Sequence, residues 1–123
     1  MPNRPKYLNL MQIRMPVPAL VSIMHRASGA VLFLALPLVL WWWQISLTSM
    51  DTFTTFKAMT SHWFVKLMML GLLWGYLHHV CAGIRHLVMD LDMATELASA
   101  RFTSVLVLAV SITLTLVTGA LLW

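Results

Sequence analysis

The stretch that decides the fold is Leu67–Ile84, which reads LMMLGLLWGYLHHVCAGI and runs directly into Arg85-His86-Leu-Val-Met-Asp90. It contains no Lys, Arg, Asp or Glu, and its length suits a helix that crosses a hydrocarbon core of about 30 Å. Ionisable side chains inside or just beyond such a run are costly, so each one is a candidate functional residue. The stretch therefore predicts a transmembrane helix with a polar site near one end.

Two other uncharged runs have the same character, at Ala27–Met50 and Phe102–Trp123. The chain has 123 residues, of which 60% are hydrophobic and only 10% charged, and this composition is typical of an integral membrane protein. We expect one all-α domain over residues 1–123 with three transmembrane helices, at about 20–47, 62–90 and 100–123. Too little polar chain remains for a soluble catalytic domain. The single cysteine, Cys81, excludes an internal disulfide and a cysteine-built iron–sulfur cluster within the chain.

The distribution of Lys and Arg predicts the orientation in the membrane. Six of the eight lie before the first uncharged run or between the second and third runs, and two lie between the first and second: Arg4, Lys6, Arg14, Arg26, Arg85 and Arg101 against Lys57 and Lys66. The positive-inside rule then places the N-terminus and second loop in the cytoplasm and the C-terminus in the periplasm. The net charge of +4 is explained by this asymmetry, so no nucleic-acid partner is expected. The absence of a cleavable signal or transit peptide favours a bacterial inner membrane.

Local signals refine the outline of the elements. We expect the first helix to begin near Ala19, after two closely spaced prolines, and to kink at Pro37, which membrane helices tolerate. Residues 51–60 suggest a short interfacial helix capped by Asp51, with Phe53 and Phe56 toward the lipid.

Helical spacing sorts the unusual residues of the second span into two faces, because residues three and four apart are neighbours on a helix. One face is rich in small residues and predicts close helix packing: Gly71, Gly75, His78, Ala82 and Arg85. The other carries Tyr76, His79, Gly83, His86 and Asp90. Here a glycine one turn from His79 would leave room for a flat macrocycle such as haem.

The expected depth of His79 in the membrane supports a cofactor position there. Arg85 should lie near the membrane surface, and His79 is about 9 Å further along the helix into the hydrocarbon core. The first span offers polar partners on one face at its cytoplasmic mouth. A hydroxyl, an imidazole and a guanidinium there suit a haem propionate or a quinone carbonyl. These residues are Ser22, His25 and Arg26, with Gly29 one turn further.

Other interpretations of the same residues stay open at this level. His79 could simply form a hydrogen bond to a neighbouring helix, and His78 is expected to pack rather than to ligate. Arg26 and Arg85 could be anchors that extend to the headgroups. His79 and His86 are about 10 Å apart along one helix, so they cannot both ligate one iron. A small structural or proton- and ion-relay membrane protein without haem is the alternative function.

The sequence resembles the cytochrome b556 membrane-anchor subunits of succinate dehydrogenase, respiratory complex II. The first match comprises Arg4-Pro5, Leu10, Val17 and Ser22-Ile-Met-His25-Arg26-Ala-Ser28-Gly29, and the second is His79-x-x-x-Gly83-Ile-Arg85-His86-Leu-x-x-Asp90. Length, span number and topology agree over nearly the whole chain. Lys6 departs from the family, which usually has an apolar residue after Arg-Pro.

The resemblance implies specific roles. His79 would be one axial ligand of haem b, and the second small anchor subunit would supply the other histidine. His25 and Arg26 would lie near the haem propionates, and Ser22 and Arg26 would line the ubiquinone site beside the iron–sulfur subunit. Electrons from succinate would reach quinone here from the flavoprotein subunit through the iron–sulfur subunit. Proton supply or electrostatic tuning would fall to Arg85, His86 and Asp90.

Overall fold

The computed structural model describes residues 14–123, which form four helices and no strand. They are α1 (Val17–Thr48), α2 (Met50–Ser61), α3 (Trp63–Asp90) and α4 (Leu97–Leu122). The all-α prediction is confirmed, and α1, α3 and α4 are the helices long and apolar enough to cross a membrane. The expectations about Arg4, Lys6 and Leu10 fall outside the described residues, and the orientation of the termini stays a prediction.

The first helix begins at Val17, two residues earlier than expected. Pro16 has extended backbone and serves as the N-cap, while Pro18 lies in the first turn. A proline is tolerated there because the amide hydrogens of the first turn have no partner within the helix. The helix then continues through Pro37 to Thr48.

The short helix between the first two spans is present, but its cap is Ser49 rather than Asp51. The Thr52 amide donates to Ser49 Oγ at 3.2 Å, and the Ser49 amide donates to Thr52 Oγ1 at 3.0 Å. This reciprocal capping box satisfies two backbone donors at once, so it defines the start of the helix. Asp51 lies in the first turn, where its charge suits the positive end of the helix dipole.

Aromatic packing joins α2 to α1. The ring of Phe56 meets Trp42 edge-on, with ring centroids 6.2 Å apart, so Phe56 packs against protein rather than facing lipid as expected. Phe53 stacks on Phe56 and stays 42% exposed, and its contact with lipid stays a prediction.

The three long helices meet at a small core of Val21, Ala82 and Val107. The predicted packing face of α3 is confirmed at His78, Ala82 and Arg85, which are all buried. It fails at Gly71 and Gly75, because neither has a neighbour within 4 Å of a notional Cβ. The packing face of α4 consists mostly of small side chains, which allow close approach: Ala100, Ser104, Val107, Ser111, Thr115 and Gly119.

Candidate cofactor site between the first and third helices

Three imidazoles gather where α1 and α3 cross. His25 of α1 stacks on His79 of α3 with ring centroids 4.3 Å apart and an interplanar angle of 14°. The ring of His25 also lies near that of His86, with centroids 5.0 Å apart and the rings tilted by 47°. The structure thus brings together all three histidines that the sequence suggested for this end of the bundle.

Two glycines make this close contact possible, and the arrangement is reciprocal. A Cβ added to Gly29 of α1 would lie 2.8 Å from Cε1 of His79, and one added to Gly83 of α3 would lie 3.4 Å from Nε2 of His25. Each helix carries the pattern His-x-x-x-Gly, at His25–Gly29 and His79–Gly83. Each histidine therefore lies over the glycine of the facing helix, and we call this arrangement the reciprocal histidine–glycine contact.

The reciprocal histidine–glycine contact differs in one respect from the expectation that Gly83 leaves open space beside His79. The space beside Gly83, expected to accommodate a macrocycle, is approached by the ring of His25. The glycine that makes room for His79 is Gly29, on the other helix. The repeated His-x-x-x-Gly spacing was the signal in the sequence that could have revealed this pairing.

The hydrogen bonds of His79 define which of its nitrogens is free. Nδ1 lies 3.1 Å from the carbonyl oxygen of His25 and 3.3 Å from Oγ of Ser28. The hydroxyl of Ser28 donates its own hydrogen to that carbonyl at 2.9 Å, so both neighbours of Nδ1 act as acceptors. Nδ1 therefore carries the hydrogen and Nε2 keeps its lone pair in the neutral ring. An imidazole held through Nδ1–H by a backbone carbonyl is the usual arrangement of a metal-binding histidine.

This geometry bears on the competing interpretation of His79. The residue does form a hydrogen bond to a neighbouring helix, but that bond uses only Nδ1. Within residues 14–123, Nε2 has no hydrogen-bond partner. Structural anchoring and ligation are therefore compatible in the same side chain.

The polar residues at the mouth of the site are more open. Ser22 is half-buried one turn before His25 and Arg26, while Arg26 and Asp90 are exposed. Among the described residues, neither Arg26 nor Asp90 forms an ion pair. Both charges are consequently available to groups outside this part of the chain.

Arg85 points elsewhere. It is only 6% exposed, and its Nε donates to Thr103 Oγ1 at 3.1 Å while Nη2 donates to the carbonyl of Ala100 at 3.4 Å. These contacts place it between α3 and α4, away from the three imidazoles. His78 is buried, 1% exposed and beside Trp74, and within the described residues neither of its ring nitrogens has a hydrogen-bond partner.

The site does not form a complete metal centre from the described residues alone. Across residues 14–123, no three His, Cys, Asp or Glu side chains are placed to hold one ion. One imidazole nitrogen is oriented and free, while further ligands must come from elsewhere if a metal binds.

Fold and site together define a small helical membrane subunit with a histidine cluster near one end of its bundle. A sequence model of the succinate dehydrogenase/fumarate reductase transmembrane subunit matches residues 1–118. The chain belongs to this family.

Individual relatives agree with the family match. The chain is 34% identical over 123 residues to a succinate dehydrogenase cytochrome b556 subunit of Coxiella burnetii, covering 98% of each sequence. It is 31% identical over 116 residues to the subunit of that name from Paracoccus denitrificans, covering 94% of this chain and 89% of the relative. A Rickettsia felis subunit of the same name is 28% identical over 121 residues, covering 98% of this chain and 91% of the relative. Similarity therefore extends along nearly the whole sequence.

Proposed function

We propose that this chain is the haem b- and ubiquinone-binding membrane anchor of a bacterial succinate dehydrogenase, passing electrons from the iron–sulfur subunit to quinone. The observation that carries the proposal is the orientation of His79, whose Nδ1 is held by α1 and whose Nε2 is left free. The relatives are named cytochrome b556 subunits, a name that implies haem b. The proposed partners are a second small anchor subunit, the iron–sulfur subunit and the flavoprotein subunit.

The residues present fit a haem that is shared with another chain. His79 would supply one axial nitrogen. Its separation from His86 along α3 excludes His86 as the second ligand, and we assign that ligand to a histidine of the other anchor subunit, as the family resemblance implies. His25 and Arg26 would hold the propionates, because they lie on the side of His79 nearer the mouth of the helix pair. When bound, haem b supplies a centre that accepts and returns single electrons close to the quinone.

The quinone would be held by Ser22 and Arg26 on α1. The Ser22 hydroxyl can donate to a carbonyl oxygen, and the permanently charged guanidinium of Arg26 can polarise it. Negative charge develops on that oxygen as the quinone is reduced, and a cation placed beforehand stabilises it. Arg26 is exposed and has no ion-pair partner among the described residues, so it is available for this role.

The residues proposed for proton supply or electrostatic tuning divide into two groups. The ring centroid of His86 lies 5.0 Å from that of His25, and Asp90 lies one turn beyond His86 at the exposed end of α3. These two are suited to moving protons between the aqueous surface and the site. Arg85 contacts α4 instead, so its contribution to the site would be a fixed positive charge.

The haem assignment is tested by the reduced-minus-oxidised optical difference spectrum of the purified complex. We expect a b-type band in the wild type that is lost in His79→Ala, because the variant lacks the free Nε2. His86→Ala is the matched control, since it removes an imidazole from the same cluster and should keep the band. A wild-type complex without haem, or a His79→Ala complex with an unchanged band, would contradict the assignment.

The quinone assignment is tested by Arg26→Leu. Succinate–quinone activity should fall by about 10²-fold, the scale of losing one preorganised electrostatic group, while electron transfer from succinate to a soluble dye is retained. Arg101→Leu removes an exposed arginine from α4 and serves as the control. Unchanged quinone reduction in Arg26→Leu would exclude Arg26 from the site.

A further inference from the structure

A groove of about 250 Å³ runs between α3 and α4, on a different face of α3 from the histidine cluster. Its walls are almost entirely apolar, and Thr103 and Arg85 are its polar members. The groove starts at Ala94, in the loop between the helices, and extends toward the middle of the bundle. Its apolar walls include Cys81, Ile84, Val88, Leu106, Val107 and Val110.

The cation in this groove lacks a counter-ion. Arg85 is 6% exposed and is held by Thr103 Oγ1 and the Ala100 carbonyl, which are both neutral acceptors. Within residues 14–123 no carboxylate forms an ion pair with it, and Nη1 makes no hydrogen bond. A buried charge without an opposite charge is costly, so an anion from outside the described chain would relieve that cost.

The surroundings restrict the kind of anion. An occupant that contacts Arg85 also contacts a continuous hydrocarbon wall, so a purely polar ion would leave that wall uncovered. A molecule with an anionic group at one end and an apolar chain at the other matches both features. Arg85 lies five residues before the end of α3, about 8 Å along the helix, which is a suitable depth for a lipid phosphate.

We propose that the α3–α4 groove binds one anionic phospholipid, with its phosphate on Arg85 and an acyl chain along the wall from Val88 to Val110. The contacts with Thr103 and Ala100 hold the guanidinium in a fixed position. Because the rest of the wall is apolar, we expect the groove to select a lipid by its headgroup charge and not by its acyl chain. The bound lipid would cover the seam between α3 and α4. The groove is separate from the proposed haem and quinone positions, although a phosphate on Arg85 would offset the positive charge that this residue would otherwise contribute there. The lipid-retention test does not depend on haem or quinone binding.

The test is lipid retention by the purified complex. The complex is exchanged into detergent that contains equal amounts of phosphatidylglycerol and phosphatidylcholine, and native mass spectrometry then records the lipids that stay bound. We expect one phosphatidylglycerol to be retained in preference to phosphatidylcholine. A single cation near the membrane surface contributes about 1 kcal/mol to anionic lipid binding, so the preference should be about fivefold.

Three variants locate the site. Arg85→Gln removes the charge, and Val110→Phe fills the groove from a side chain that is 38% exposed and outside the helix core. Both should abolish the preference, whereas Arg101→Gln, which removes an exposed arginine of α4 that does not line the groove, should keep it. If the Arg85→Gln complex does not assemble, Val110→Phe still tests the proposal, because it blocks the groove and leaves Arg85 in place. Equal retention of the two lipids by the wild type, or equal loss in Arg101→Gln and Arg85→Gln, would overturn the proposal.

Discussion

At the scale of single residues, the candidate site depends on two absent side chains. Gly29 and Gly83 each face a histidine of the opposite helix, so α1 and α3 approach closely enough for His25 and His79 to stack. That approach also brings the His25 carbonyl within hydrogen-bond distance of His79 Nδ1. The two glycines therefore explain both the close approach of α1 and α3 and the orientation of the His79 ring.

Gly29→Ala tests this dependence. The new Cβ would lie 2.8 Å from His79 Cε1, so either the imidazole must turn or the helices must separate. We expect overpacking to cost about 1–3 kcal/mol and the haem content per complex to fall. Pyridine haemochrome absorbance relative to protein measures that content.

Gly75→Ala is the matched control for this prediction. A Cβ at Gly75 meets nothing within 4 Å, so the haem content should stay unchanged. Removing a glycine from a helix interior can also add up to about 1 kcal/mol of stability. Equal haem content in Gly29→Ala and the wild type would show that the close approach at Gly29 is unnecessary.

The sequence predicted which residues of the site are unusual but not which of them touch. An ionisable residue within or beside an apolar stretch can be recognised from the sequence alone, and this criterion identified His79 and His25. The stacking of these two rings depends on how α1 and α3 are paired and rotated, which no local pattern specifies. Ser28 was missed for the same reason, because its hydroxyl becomes relevant only once His79 lies beside it.

At the scale of elements, the helices themselves were predictable and their packing only partly so. Uncharged runs of sufficient length indicated α1, α3 and α4, because a membrane requires every backbone group to be bonded within its own segment. The packing face of α3 was correct where α4 approaches, at Ala82 and Arg85, and wrong at Gly71 and Gly75. The cap of α2 was predicted at Asp51 but lies at Ser49, because Ser49 and Thr52 exchange reciprocal backbone-to-side-chain hydrogen bonds.

Ala82→Leu tests the importance of the contact among the three long helices. Ala82 is fully buried against Val21 and Val107, so a larger side chain has no space without separating the helices. We expect a loss of about 1–3 kcal/mol, measured as a lower thermal denaturation midpoint of the detergent-solubilised complex. Val80→Leu also enlarges an apolar side chain on α3, but at a position that is 40% exposed, and should leave the midpoint unchanged. Similar midpoints for the two variants would place the critical packing elsewhere.

At the scale of the whole molecule, the sides of the membrane on which the loops lie are a prediction for an arrangement in which each of the three long helices crosses once. Family membership and the apolar helices support a membrane location, while the side on which each loop lies rests on the count of basic residues. The proposed electron path requires the end that carries Arg26 and His86 to face the iron–sulfur subunit. Orientation is thus the property that connects the local geometry with the proposed function.

Cysteine labelling can determine this orientation because Cys81 is the only cysteine. In a Cys81→Ser background, single cysteines replace Lys57 of α2 and Asp92 of the α3–α4 loop, which lie at opposite ends of α3. With the N-terminus in the cytoplasm, a membrane-impermeant maleimide applied to bacterial cells with a permeabilised outer membrane should label Lys57→Cys and spare Asp92→Cys. Lysed cells should show both labelled, which controls for reactivity. The opposite pattern would place the histidine cluster at the periplasmic face, where a cytoplasmic iron–sulfur subunit could not reach it, and would refute the proposed electron path.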